Sequence, residues 1–180
     1  MVATFVVETG AGITNANAYA TEAQVDQYHD NYGAPVAWTG LAAGTVREHH
    51  IREATQYLEA VYGLRWHGER SNRLQALDWP RRSINDADGY TIDSDSMPTE
   101  LIEVTSIMAL KSAEGAAATP ATTLIPDLTD SGTEEATLVK VGPITKSVKF
   151  SGGNSPIKRY RRVNLLLKRL IKSSSTITRG

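Results

Sequence analysis

Cysteine is absent from the 180 residues. Disulfides and thiolate metal sites are therefore excluded, and the chain suits a reducing compartment. Aromatic residues make up only 7% of it, so a core must be mainly aliphatic and alanine-rich. No stretch approaches the roughly 18 uninterrupted apolar residues of a membrane span. The opening Met1–Glu8 has no basic segment and too short an apolar run for a secretory leader. The chain is expected to be soluble and intracellular, or part of something assembled inside a cell. No Gly-Lys-Ser or Gly-Lys-Thr cradle for phosphate is present, and no serine sits in a nucleophile elbow. The most telling absence is of acid: no Asp or Glu follows Glu135.

What is present is sorted by sign. Residues 136–180 carry 11 Lys and Arg, and residues 1–135 carry 8 basic and 20 acidic residues, 8 − 20 = −12. The net charge of −1 conceals this split. A basic tail on an acidic body seeks an acidic partner, whether nucleic acid, another protein or an identical neighbour. At this length one domain is expected, divided into a body over 1–135, a β-hairpin over 136–151 and a basic arm over 152–180.

Patterning predicts a mainly α chain. A short β-rich run, Thr4–Val7, ends at Gly10-Ala11-Gly12. Thr21 and Gln24 form a capping box for a helix to Tyr32, with Ala23, Val25 and Tyr28 turned inward. Pro35–Gly44 reads as a loop. Thr45 and Glu48 form a second capping box, opening a helix over Val46–Tyr62 with Ile51, Ala54, Leu58 and Val61 or Tyr62 on its apolar face. Leu64–Ser96 has no period and reads as an ordered excursion pinned by tryptophans. Pro98 fits the first turn of a third helix to Glu114. Gly115–Glu135 reads as a mobile loop. Thr137–Val141 and Thr145–Phe150 alternate around Gly142-Pro143 as a hairpin. Ser155 and Pro156 open a last helix to Lys172, with Val163, Leu166, Leu167 and Leu170 as its stripe.

The candidate chemistry is sparse, and no catalytic residue, cofactor site or metal site is expected. Gly10-Ala11-Gly12 lacks the third glycine of a dinucleotide fingerprint and reads as a tight turn. Among His29, His49, His50 and His67, the adjacent His49 and His50 point about 100° apart on a helix and do not chelate as an i, i+4 pair does. Asp86, Asp88, Gly89 and Asp95 mimic a calcium loop, but Ile84 occupies its first ligand position and Asp95 replaces the bidentate Glu. The strongest signal is Lys158-Arg159-Tyr160-Arg161-Arg162. Its cations can meet phosphates while its tyrosine stacks on a base. The same residues also suit an acidic protein groove, a membrane surface or a solvated face.

Several motifs occur in order along nearly the whole chain. They are Glu8-Thr9-Gly10-Ala11-Gly12-Ile13-Thr14-Asn15-Ala16-Asn17-Ala18-Tyr19, Arg52-Glu53-Ala54-Thr55-Gln56-Tyr57-Leu58 and Arg65-Trp66-His67-Gly68. They continue with Leu77-Asp78-Trp79-Pro80-Arg81, Gly89-Tyr90, Met97-Pro98, Val141-Gly142-Pro143-Ile144 and the closing leucine helix. Together they resemble a family of tailed-phage head-tail connector (adaptor) proteins, often labelled DnaT-like single-stranded-DNA-binding. The Thr/Ala-rich segment around Ala116–Glu135 departs from the pattern.

The resemblance implies a small helical bundle with a β-hairpin and an extended C-terminal helical arm, and no enzyme activity. It implies a virion protein at the neck: a ring of about twelve copies docked under a portal, with a tail or neck protein below. Genome DNA would pass through without specific binding, and no membrane is involved. On this reading Gly152-Gly153 is a hinge and residues 156–180 dock on the portal or a neighbour. Lys158, Arg159, Arg161, Arg162, Leu166, Leu167, Lys168, Arg169 and Leu170 are the expected contacts. Because DNA must slide, the arm is expected to face protein and the acidic body to lie nearer the channel. Trp66, Trp79, Pro80 and Arg81 are expected to staple the long excursion to the bundle. The rival expectation is a single-stranded-DNA-binding replication accessory protein, which would bind short oligonucleotides in a salt-sensitive way through the same cations. An enzyme is the weakest of the three.

Overall fold

A computed structural model describes residues 4–86, 89–119, 121–125 and 157–172, and the backbone of 134–139 and 146–150. The fold is mainly α, with small two-stranded antiparallel pairings. Its helices are α1 (Glu22–Asn31), α2 (Val36–Thr39), α3 (Thr45–Tyr62), α4 (Thr99–Ala117) and α5 (Arg161–Leu166). The strands are β1 (Glu69–Arg70) paired with β2 (Arg81–Arg82), and β3 (Glu134–Val139) paired with β4 (Lys146–Phe150). Among the described residues no helix is long and apolar enough to cross a membrane.

Helix α4 is the centre of the fold. Leu101, Val104, Thr105, Ser106, Ile107, Met108, Ala109, Ser112 and Ala113 are all buried, so it is covered on most sides. A helix enclosed in this way must satisfy its own polar groups. Thr105 Oγ1 donates to Leu101 O at 2.7 Å and Ser106 Oγ to Ile102 O at 2.9 Å. Helix α3 packs along it through Ile51, Ala54 and Leu58. Helix α1 is capped as its sequence predicts, with Thr21 and Gln24 each bonding the other's backbone.

Several local expectations change. Thr45 is the first residue of α3 rather than its cap, which is Gly44 at φ 77°. The Gly44 N–H is taken by Glu22 Oε2 at 3.0 Å, so a neighbouring helix supplies the carboxylate. The Pro35–Gly44 loop contains α2, held by buried Trp38, whose Nε1 donates to Asp26 Oδ1 at 2.7 Å. Thr4–Val7 is not a strand: Val7 makes one isolated parallel bridge to Ala18. Helix α4 begins after Pro98 and continues three residues beyond Glu114. The chain then folds back, with Thr122 N–H donating to Gly115 O at 2.9 Å and Leu124 buried. The first part of the expected mobile loop is thus anchored, and 126–133 lies outside the described residues. So do the Gly142-Pro143 turn, the Gly152-Gly153 hinge, Asp88 and the end from Ser173.

The family-like motifs are built into this scaffold. The Glu8 carboxylate is buried and accepts the N–H groups of Gly10, Gly12 and Ile13 at 2.9, 2.9 and 2.7 Å. The glycine turn therefore wraps the chain's own anion. At Gly10, φ is 104° and a Cβ would lie 2.0 Å from Asp95 O, so only glycine fits. In the Trp-Pro-Arg element the Trp79–Pro80 bond is cis. Trp79 and Trp66 are buried and meet edge to face at 5.8 Å. Arg81 donates to the carbonyls of His67, Asp78 and Gly68 at 2.7, 3.1 and 2.8 Å, bridging both sides of the excursion.

Candidate nucleic-acid interface

The basic C-terminal segment folds onto its own body. The expected continuous helix over 156–172 is shorter: α5 covers six residues and a 3₁₀ turn follows over Leu167–Arg169. Tyr160 is still extended, and the segment before α5 is tied down through its backbone. Tyr57 Oη donates to Lys158 O at 2.6 Å, and Tyr62 Oη to Asn164 Oδ1 at 2.7 Å. Beyond α5, His67 N–H donates to Leu170 O at 2.9 Å and Lys172 N–H to Arg65 O at 2.6 Å. Val163, Leu167 and Leu170 are buried in the core, and Leu166 packs partly buried against it. Three of the leucines expected to meet a neighbour or a portal thus belong to this chain's own core.

Burying that stripe turns the charge outward. Arg161, Arg162, Leu165, Lys168 and Arg169 recur at spacings of three and four, so they share the outer face. Lys158, Arg159, Arg161, Arg162, Lys168 and Arg169 are all exposed. Among the described residues the ion pairs lie elsewhere, at Arg47–Glu22, Arg47–Asp26, Arg52–Glu48, Arg82–Glu69 and Lys111–Glu114. The six cations lack a carboxylate partner there. Lys168 and Arg169 also border a cleft of about 310 Å³ with Asn85 and Asp86.

Next to this strip α1 presents two aromatic rings. Tyr28 and Tyr32 are four residues apart, on one face of the helix end. Their rings stand 4.6 Å apart at 36°. Tyr32 is 63% exposed and Tyr28 half-buried, while His29 takes the inward place with Nε2 3.1 Å from Ser106 O. Of the residues expected inward, Val25 is buried and Tyr28 packs half-buried against the core, while Ala23 is exposed. Arg162 Nη2 donates to Tyr28 Oη at 3.0 Å and so joins the cation strip to the tyrosines. Burial raises the Tyr28 hydroxyl above its ordinary range, with the Arg162 charge acting in the opposite direction.

A second concavity, of about 520 Å³, lies between the N-terminal segment and α3, lined by Asn17, Arg52, Gln56, Glu59 and Leu77 among others. Its carboxylate is already engaged. Glu59 accepts from the Tyr19 hydroxyl and from Asp78 N–H at 3.3 and 3.1 Å. Burial, above all, pushes it up to about 7.

Exposed cations beside an exposed aromatic ring, here Tyr32, are a combination suited to single strands. Comparison with known families gives the same indication. The family described as "Putative DnaT-like ssDNA binding protein" matches residues 3–180. The chain belongs to this DnaT-like family. No curated protein and no solved structure matches it. The match corrects the reading as a head-tail connector: the description is of single-strand binding, and nothing in it supports a connector or virion role. The portal and the ring of twelve copies rested on that reading and are carried no further.

The tyrosine pair was missed in the sequence because an i, i+4 aromatic spacing suits a core as well as a surface. The cations were legible. What the sequence did not show is that their leucine neighbours are used internally.

Proposed function

We propose that this DnaT-like protein binds single-stranded DNA, with its backbone along the cations of 158–169 and bases on the Tyr28–Tyr32 rings. The observation that carries this is the Arg162–Tyr28 contact, which makes cation strip and rings one continuous surface. Phosphates neutralise the unpaired cations and release counterions, while stacking needs bases free of a duplex. That requirement favours single strands over double-stranded DNA. The activity is binding, without chemistry on the strand.

The test is fluorescence anisotropy with a labelled oligothymidine. Tyr32→Ala removes an exposed ring and is expected to weaken binding by about 5- to 150-fold, the equivalent of roughly 1–3 kcal/mol for one stacked base. Replacing Lys158, Arg159, Arg161 and Arg162 together by Ala is expected to lower affinity further. It should also flatten the salt dependence by about 3 in log–log slope, at roughly 0.7 per phosphate. Unchanged affinity in both variants would contradict the assignment of this surface.

A further inference from the structure

One cluster on the far part of α3 takes no part in strand binding. His49, His50 and Glu53 each offer a ligand atom, and these atoms all lie within 4.8 Å of one another. Sequence reasoning set the two histidines aside because neighbours on a helix diverge. The structure brings their ring centroids to 5.3 Å. Glu53, four residues after His49 and three after His50, closes the group on the same turn.

The cluster is held from outside its helix. Ser112 of α4 donates its only proton to Glu53 Oε2, since a carboxylate can only accept. Its oxygen, 2.7 Å from His50 Nδ1, must then accept from that nitrogen. This fixes the proton of His50 on Nδ1 and leaves the Nε2 lone pair available. The other carboxylate oxygen of Glu53 accepts from Leu124 N–H at 3.0 Å, so two separate segments orient it. Each oxygen keeps a second lone pair. An outer hydrogen bond that sets the tautomer of a histidine and one that orients a carboxylate are what metal ligands ordinarily have around them.

We infer that His49, His50 and Glu53 form a binding site for a divalent transition ion of the zinc type, with Ser112 as the positioning residue. Two imidazoles and one carboxylate are a ligand set zinc accepts, leaving a fourth position for water. Ligand atoms bound to one zinc at roughly 2.0–2.2 Å stand roughly 3.4 Å apart in a tetrahedron. Closing from spacings of up to 4.8 Å requires shifts of up to about 1.4 Å, shared between rotation of exposed His49 and adjustment of the Glu53 carboxylate.

The test uses the full chain, stripped with chelator and titrated with Co²⁺ and then with Zn²⁺, followed by visible absorption and calorimetry. One ion per chain is expected, with a four- or five-coordinate cobalt band that zinc abolishes. His49→Ala removes an exposed ligand without touching the His50–Ser112–Glu53 bonds, and is expected to weaken binding at least about tenfold. Ser112→Ala should weaken it by a similar factor and broaden the cobalt band, an effect a purely packing role would not produce. His67→Ala, at an exposed histidine elsewhere, should change nothing. Absence of the cobalt band, or equal affinity in His49→Ala and wild type, would overturn the site.

Discussion

Glu59 shows how burial changes what one side chain does. Its carboxyl lies beneath the Tyr19 hydroxyl and the Asp78 amide, and burial moves it from the ordinary 4.5 to about 7. Folded protein therefore holds a proton that unfolded chain has released across roughly pH 4.5–7, and stability falls as pH rises through that window. Above it the ionised group remains buried at full cost. Glu59→Gln keeps an acceptor for Tyr19 and removes the charge. The variant is expected to melt above wild type at pH 8 and to lose the advantage near pH 5, by thermal unfolding at both. A constant difference across pH would contradict the assignment. Glu8 is the complementary case: three N–H donors surround its carboxylate, so the glycine turn already holds its anion. Neither role was legible in the sequence, because both depend on partners brought in by folding.

At the scale of elements, helices with a clear apolar period were legible and those set by tertiary contact were not. Helices α1, α3 and α4 follow the i, i+3, i+4 pattern, and their observed ends differ from expectation by a few residues. Helix α2 has only four residues, too few for a period, and depends on Trp38 reaching Asp26. The C-terminal segment was the most misleading. A leucine stripe beside cations looks the same whether it meets a partner or its own body, and only the tertiary contacts decide. Val163, Leu167 and Leu170 go inward, Tyr57, Arg65 and His67 tie the surrounding backbone, and Tyr62 holds the Asn164 side chain. The segment is thus structural on one side and available on the other. Leu167→Ala is expected to cost about 2–5 kcal/mol, measured by denaturant unfolding. A loss below about 0.5 kcal/mol, the range of ordinary surface changes, would mean that the segment is a detachable arm after all.

Over the whole molecule, the charge split acquires a geometry. The acidic residues 1–135 supply most of the bundle and hold Arg47 on their own carboxylates and Arg81 on their own carbonyls. Residues 157–172 bury Val163, Leu167 and Leu170 in that bundle, and among the described residues Lys158, Arg159, Arg161, Arg162, Lys168 and Arg169 have no carboxylate partner; they lie beside the two tyrosines of α1. Lys158–Arg162 stood out as the strongest charge signal, and the fold class was readable from composition and period. The partner was not, because charge alone does not distinguish a phosphate backbone from an acidic protein. On the proposed reading the exposed Tyr32 ring favours single-stranded DNA, since stacking requires unpaired bases. The measurement that tests this most directly compares an oligothymidine of about 16 nucleotides with a duplex of the same length, by anisotropy across a salt series. The account predicts tighter binding of the single strand, with affinity falling linearly in log–log terms by roughly 0.7 per neutralised phosphate. Equal or tighter binding of the duplex, or no binding of either at low salt, would contradict it.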